Sequence, residues 1–469
     1  MHRFRTPNNA LGARTRTGMG SLRLVCFDAH VLLAFEAAAE DSRTESARDS
    51  WLATVQYAIV DGEKPRHLGM LSTSRSWAEW QGKARHGKAR QGINVKPAKA
   101  IWTLFAVIIN AARLPIWMIW YVPVSMRPHP AWSYKQSIMV QIVKSFLWNA
   151  SMVHMKTPLS LKPLAERQKW TVAPPASSTT YMGPANADPT IKPEPLGGTW
   201  YPTPPPQGGL NKPKIAVIHF HGGAYVIGDG RTNDAGFAAK TLIQQTEATH
   251  VYAPQYRLSS NPGGQFPAAL QDAITAYAYV VHVENIAPSK IVLSGDSAGA
   301  NLALALTRYL TEYGSSVGLE LPLATWLWSP WVSPMGSLTS ESFDKSPNKP
   351  TDYVTASFGS WGAQTYQPRK ETGITLDHPY ISFESQHVFS TPIPIYISTG
   401  ECEVLYHDDV RLAEAMASIK GNHVTLQVEE HSVHDTILTG RLVGFEKEAI
   451  QAAKRAGDWL RGIEKAAKL

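Results

Sequence analysis

Short apolar runs recur through the chain from about residue 215 onward, separated by polar stretches and helix-forming stretches. Most of the runs are rich in β-branched residues, which is typical of strands inside a sheet. They lie at 215–220, 251–258, 291–293, 393–398 and 424–428. The run at 291–293 leads through a glycine-containing turn into an Ala/Leu-rich stretch with strong helix propensity. The pattern therefore predicts a folded body that begins near Lys214.

The beginning of the chain has a different pattern. Residues 1–95 show no sustained apolar period and hold many Arg, Ser, Thr and Gly residues, which predicts a disordered basic extension. Lys and Arg residues then recur over 83–99 with no acidic residue between them. Since no aromatic side chains are interleaved with this basic run, a solvated linker explains it better than a nucleic-acid-binding surface.

The apolar stretch at 100–123 is long enough to cross a bilayer. Asn110, Arg113 and Pro115 interrupt it, and a proline inside a helix removes a backbone donor. We therefore rank a helix on a membrane surface, or one on the folded body, above a spanning helix. These two alternatives are left open by the sequence. Apolar residues at helical spacing predict a second helix over 133–149, whose first residue is a good N-cap.

These patterns divide the chain into four parts. After the extension, 96–172 is expected to be a hydrophobic helical segment that caps the body. Residues 173–213 are rich in Pro, Ser, Thr and Gly, which predicts a linker with one short edge strand. Residues 214–469 are expected to form the main α/β domain, which would carry the chemistry.

Candidate chemistry begins at the turn after the 291–293 run. There the stretch GDSAG at 295–299 places Ser297 between a strand and a helix, which is the context of a nucleophile elbow. By itself this pattern is a weak signal, because small residues cluster by chance. The 215–220 run leads into HGG at 221–223, where glycines at a strand end leave backbone N–H groups free to hold a negative oxygen. A tight turn without chemistry is the alternative.

Composition changes this picture little. The 469 residues are 43% hydrophobic and 18% charged, an ordinary globular balance, and much of the net charge of +7 is local to the basic run. The chain has only two cysteines, Cys26 and Cys402, so a disulfide framework is excluded. With no secretory-type leader evident, we predict an intracellular protein. Because no Cys/His cluster has zinc-site spacing, we expect no metal.

The three stretches HGGAY, YRLSSNPGGQFPAALQDA and GDSAGANLA resemble the hormone-sensitive-lipase family of α/β-hydrolases, over about residues 130–445. The resemblance implies a mostly parallel central sheet flanked by helices, with an N-terminal helical cap. It also implies that Ser297 is the nucleophile and that Gly222, Gly223 and Ala298 supply the oxyanion-hole N–H groups. Many family members have a third glycine at the position of Ala224, so we expect a narrower pocket here.

The resemblance also implies the acid and the base of a catalytic triad. The family places a carboxylate three residues after the glycine matched by Gly400, which makes Glu403 the acid. Its competitors, Asp408 and Asp409, are interpreted as N-terminal caps of a helix over 410–419. The family histidine lies in a loop after a strand and precedes an acidic residue and an apolar helix. His434 fits this pattern, whereas His431 comes too early.

We therefore predict a serine carboxylic ester hydrolase acting on a hydrophobic, short-chain (acetyl-type) ester, with small-molecule substrates and no nucleic-acid partner. Such a mechanism requires no cofactor, so we expect none. Its similarity to fungal esterases that trim natural products narrows the expected substrate to an acetylated sterol, terpenoid or polyketide. Two alternatives remain open. One is a non-catalytic small-molecule receptor on the same scaffold, and the other is a protein whose role is dominated by membrane association through 100–123. The oligomeric state is left undetermined.

Overall fold

A central sheet organises the residues described by the computed structural model, which are 96–206 and 212–466. Its eight strands run in the order β1-β2-β4-β3-β5-β6-β7-β8. From β4 to β8 all neighbours are parallel, whereas β1 pairs antiparallel with β2, and β2 antiparallel with β4. The strands are β1 (Trp170–Ala173), β2 (Leu196–Tyr201), β3 (Ala216–Phe220), β4 (His250–Pro254), β5 (Ile291–Asp296), β6 (Ala324–Trp328), β7 (Ile395–Gly400) and β8 (Val424–Glu429).

The two faces of the sheet are both covered, which explains the continuous apolar runs in the sequence. In β3, Ala216 and Ile218 belong to one core cluster and Val217 to the other. In β5, Leu293 belongs to the first of these clusters and Val292 to the second. Successive side chains of a strand point to opposite faces, so a strand buried on both sides must be apolar throughout.

Helices form the layers on either side of the sheet. The described helices are α1 (Lys96–Trp120), α2 (Tyr134–Val153), α3 (Thr232–Gln245), α4 (Ala268–Ala278), α5 (Ala298–Val317), α6 (Glu341–Lys345), α7 (Ala356–Tyr366), α8 (Tyr406–Ala417), α9 (Thr436–Val443) and α10 (Glu446–Ala466). Buried side chains of α3 and α10 fill the core on one face, and those of α4, α5 and α8 fill the core on the other. The expectation of a mostly parallel sheet flanked by helices is confirmed.

The second predicted helix is present as α2, and its N-cap is Ser133 as expected. Its hydroxyl accepts a hydrogen bond from the Gln136 N–H (3.2 Å), and the Gln136 side chain accepts one from the Ser133 N–H (2.7 Å). Such a reciprocal pair satisfies two N–H groups that the helix cannot, which stabilises the helix start by about 1 kcal/mol. The buried side chains of Val140, Val143 and Leu147 then attach the helix to the core.

The apolar helix α1 runs through Pro115 without interruption. It contains the 22-residue stretch Lys99–Trp120, whose most apolar window has a mean hydropathy of 1.5, and Ala106 is the only buried residue of that stretch. By length and composition alone, this helix could cross a membrane.

Two strands lie before Lys214, where the sequence places the start of the main domain. β1 falls at the end of the predicted cap segment, and β2 falls in the predicted linker. The expected edge strand in 173–213 corresponds to β2, but β2 is internal because β1 covers its outer side. The antiparallel pairing of β2 with β4 brings this region into the sheet. The extension proposed for 1–95 lies outside the described residues.

Candidate active site

Ser297 occupies a strained turn between the last residue of β5 and the first residue of α5. Its φ of 53° and ψ of −116° are unfavourable for any residue with a side chain. The flanking glycines are required sterically. A Cβ on Gly295 would lie 2.1 Å from the Gly299 carbonyl oxygen, and a Cβ on Gly299 would lie 2.0 Å from the Phe220 carbonyl oxygen. The GDSAG pattern therefore follows from close backbone packing at this turn.

The glycine loop after β3 passes directly beside this turn. A Cβ on Gly222 would lie 3.1 Å from the Ser297 Cβ, and Gly223 has a φ of 105°. Among the hydrogen bonds of the described residues, none is donated by the N–H of Gly222, Gly223 or Ala298. These three N–H groups are consequently available to a ligand oxygen near Ser297.

Aromatic side chains brace the glycine loop. The Tyr256 hydroxyl donates to the His221 carbonyl oxygen (2.6 Å), and the two rings stack 4.3 Å apart. Burial lowers the pKa of His221, which keeps its ring neutral. Tyr225 stacks on Tyr366 at 3.8 Å, and its hydroxyl donates to Asn301 of α5 (2.8 Å). The loop is therefore held rigidly, as an arrangement of fixed backbone donors requires.

Glu403 and His434 meet beyond the carboxyl ends of β7 and β8. The His434 Nδ1 lies 2.9 Å from the Glu403 Oε2, and both side chains are buried. Burial alone would raise the pKa of Glu403, but the hydrogen bond and charge of His434 bring it below its usual value. Burial alone would lower the pKa of His434, but the Glu403 hydrogen bond and charge raise it. Each partner thus favours the charged form of the other.

The segment after β6 connects this pair to Ser297. The Ser297 N–H donates to the Trp328 carbonyl oxygen (2.8 Å), and the Trp331 N–H donates to the Ser297 carbonyl oxygen (3.0 Å). The same segment also contacts the residue after His434, because the Ser329 hydroxyl accepts a hydrogen bond from the Asp435 N–H (2.9 Å). No hydrogen bond joins the Ser297 hydroxyl to the His434 ring among the described residues; in free enzymes such contacts are often long and shorten when substrate binds.

The rejected candidates have other roles. His431 is half-exposed and lies 3.2 Å from Glu401, away from the buried pair. Asp408 forms an ion pair with Arg411 at the surface. The prediction that Asp409 caps a helix over 410–419 is wrong, because α8 already begins at Tyr406. Asp409 lies within the first turn, and its carboxylate turns inward to the Thr399 hydroxyl instead.

Two buried groups near His434 have no signal in the sequence. The Asp352 carboxylate accepts hydrogen bonds from the N–H groups of Val404 (2.6 Å) and Val354 (3.1 Å), and its charge acts on His434. The neighbouring Tyr353 hydroxyl donates to the His434 carbonyl oxygen (2.7 Å). Both residues stand in an irregular segment before α7, where no motif marks them.

A strained serine after a parallel strand, a loop of free N–H groups beside it and a buried acid–histidine pair define an α/β-hydrolase site. A family model described as alpha/beta hydrolase fold matches residues 217–438. Over these residues the chain is similar to the α/β-hydrolases. The resemblance found in the sequence is thereby confirmed.

Named relatives of this chain include an acetyl-hydrolase, an esterase and a carboxylesterase. It is similar to an acetyl-hydrolase of Streptomyces hygroscopicus, with 29% identity over 211 residues, which cover 45% of this chain and 64% of that protein. It is similar to the esterase LipU of Mycobacterium tuberculosis, with 27% identity over 52% of this chain and 77% of LipU. Carboxylesterase NlhH of the same organism is 28% identical over 51% of this chain and 73% of NlhH. The match thus spans less than two thirds of the acetyl-hydrolase. These names support the prediction of a carboxylic ester hydrolase.

Proposed function

We propose that this protein is a serine carboxylic ester hydrolase in which Ser297, His434 and Glu403 form the catalytic triad. The observation that carries the proposal is the buried Glu403–His434 pair, linked through the segment after β6 to the strained turn of Ser297. A serine hydroxyl is a weak nucleophile at neutral pH and needs an oriented base. Glu403 would fix the tautomer of the imidazole and stabilise its positive charge.

The reaction then proceeds in two halves. Oγ of Ser297 attacks the ester carbonyl carbon while Nε2 of His434 takes the hydroxyl proton. The bond to the alcohol oxygen breaks, and His434 gives this proton to the departing alcohol. Water next gives a proton to His434 and attacks the acyl carbon. The acid leaves as Ser297 regains its proton from His434.

The N–H groups of Gly222, Gly223 and Ala298 are proposed as the oxyanion hole. Support comes from their position beside Ser297 and from their freedom from other hydrogen bonds among the described residues. Donors fixed in advance stabilise the negative oxygen of the tetrahedral intermediate without reorganising. Loss of one such donor typically lowers the rate by about 10²–10³-fold.

For the substrate, we propose a hydrophobic ester with a short, acetyl-type acyl group, such as an acetylated sterol, terpenoid or polyketide. Similarity to a protein named acetyl-hydrolase supports the short acyl group. The rings of Tyr225 and Trp331 are buried in the core on one face of the sheet. Trp326 and Trp328 instead pack in the core on the opposite face.

A panel of p-nitrophenyl esters with increasing acyl length tests this function. We expect turnover of the acetate that falls as the acyl chain lengthens, and loss of turnover in Ser297→Ala and His434→Ala. A phosphonate probe should label the wild-type protein and not Ser297→Ala. Turnover that persists in Ser297→Ala would refute the triad. Tight ligand binding without any turnover by the wild type would favour the receptor alternative.

We also propose that the apolar stretch 100–123, most of which lies in α1, contacts a membrane surface. Its apolar side chains are exposed on the described part of the chain, for example Ile116 at 61% and Ile119 at 75%. Basic residues precede the apolar stretch and Trp120 ends the helix, an arrangement typical of interfacial anchoring. The following segment joins the body, because the Trp132 indole donates to the His431 carbonyl oxygen (2.7 Å). This contact supports the cap role proposed for 96–172.

Co-flotation of the full chain with phosphatidylcholine/phosphatidylserine vesicles tests the membrane proposal. We expect binding that is lost in the variant Ile116→Glu/Ile119→Glu, with turnover of soluble esters retained. Release by carbonate washing would indicate a surface helix, whereas retention would indicate a spanning one. Failure of the wild type to float would refute membrane contact. The intracellular location stays a prediction.

A further inference from the structure

A second buried carboxyl group lies beside the proposed triad acid. Asp409, in the first turn of α8, is fully buried, as are Glu403 and, almost completely, Thr399 at the end of β7. The Thr399 Oγ1 lies 2.7 Å from the Asp409 Oδ2 and also contacts the Glu403 Oε1 within hydrogen-bonding distance. One hydroxyl group therefore bridges two carboxyl groups.

The two contacts of the Thr399 hydroxyl require one more proton than a pair of ionised carboxylates provides. A threonine hydroxyl carries one hydrogen and can donate to only one of two carboxylate oxygens at a time. If both acids were ionised, the other contact would place two bare oxygens together in a dry interior, which is strongly unfavourable. One of the two carboxyl groups must therefore carry a proton and donate it.

The surroundings identify Asp409 as the group that carries the proton. Glu403 receives the hydrogen bond of His434, so its ionised form is stabilised. Among the described residues, no cation forms an ion pair with Asp409. Arg411, on the same helix, pairs with Asp408 at the surface. The titratable groups that act on Asp409 are Glu403 and Asp408, both acidic, while His434 and Asp352 lie around Glu403. Burial and the charge of Glu403 raise the pKa of Asp409 well above its usual value.

We infer that Asp409 is a positioning residue that donates its proton to the Thr399 hydroxyl, which in turn donates to the triad acid and so holds Glu403 against His434. This inference rests on the proposed function. The hydrogen bonds form a chain: the Asp409 O–H to Thr399 Oγ1, the Thr399 O–H to Glu403 Oε1, and the His434 Nδ1–H to Glu403 Oε2. Every polar hydrogen in the chain has an acceptor, and Glu403 loses the freedom to rotate away from the imidazole.

A neutral Asp409 and an ionised one predict different pH profiles. A neutral carboxyl group adds a donor but no charge, so Asp409→Asn leaves the charge around His434 unchanged. An ionised carboxylate would raise the pKa of His434, and its replacement by asparagine would lower that pKa. The acid limb of kcat/KM, where the base becomes protonated, reports this difference.

The experiment compares four variants of the full chain with p-nitrophenyl acetate. We expect Asp409→Ala and Thr399→Val to lower kcat by about tenfold or more with little change in KM, because a hydrogen bond to a buried charge is lost. Asp409→Asn should restore most of the loss and keep the acid limb in its wild-type place. Asp408→Asn, on the same helix turn, is the matched control and should behave as wild type.

An infrared spectrum provides a readout that does not depend on activity. The difference between wild type and Asp409→Asn at pH 7 should contain the C=O stretching band of a protonated carboxylic acid. Absence of that band, or an acid limb shifted to lower pH in Asp409→Asn, would overturn the inference. If Asp409→Ala does not fold, the infrared spectrum and the acid limb of Asp409→Asn still show whether Asp409 carries a proton. Activity remaining in Ser297→Ala would refute the triad instead, and the infrared band would be unaffected.

Discussion

Replacing Ser297 with glycine should stabilise the fold and abolish activity together. The φ of 53° and ψ of −116° at this position are accessible to glycine but strained for a residue with a Cβ. Strain of this kind costs about 1–3 kcal/mol. The Ser297 hydroxyl makes no hydrogen bond among the described residues, so its removal sacrifices little in the folded state. The serine at this turn therefore lowers the stability of the fold while supplying the nucleophile.

The matched control is Ser297→Ala, which also removes the hydroxyl but keeps the Cβ and hence the strain. Glycine adds freedom to the unfolded chain, which offsets about 0.4–1 kcal/mol of the gain. We therefore expect the free energy of unfolding of Ser297→Gly to exceed that of Ser297→Ala by about 0.5–2 kcal/mol. Urea unfolding at pH 7, followed by circular dichroism, measures the difference. A glycine variant no more stable than the alanine variant would show that the elbow stores no strain.

Three further outcomes are expected. Glu403→Gln should lower kcat/KM by about 10²-fold or more and move the acid limb to lower pH, because the pKa of His434 falls without the carboxylate; an unmoved limb in a pH–rate profile would contradict this. Gly222→Ala should lower kcat by about 10²-fold in a steady-state assay, since its Cβ would lie 2.3 Å from a buried carboxylate oxygen and displace the loop; full activity would contradict the close approach. Arg231→Met should lower the free energy of unfolding by about 3 kcal/mol in urea, because it leaves Glu166 buried and unpaired; an unchanged midpoint would contradict this.

The local chemistry of the site could be predicted from short stretches. GDSAG at 295–299 and HGG at 221–223 indicate the elbow and the donor loop, because a tight strand–helix turn and close backbone packing exclude larger side chains. Continuous apolar runs indicated strands buried on both faces, since each face of the sheet packs on helices. The family resemblance extended this to Glu403 and His434, and the structure brings these two together.

Only the tertiary structure decided which groups surround the acid and the base. Asp409 reads as a helix cap in the sequence, but the start of α8 at Tyr406 rotates its carboxyl group inward to Thr399. Asp352 approaches His434 from a segment with no motif. The place of β2 inside the sheet likewise depends on its antiparallel pairing with β4. The physical reason is common to all three: contacts between distant segments are set by strand order and helix register, and local composition carries no record of either.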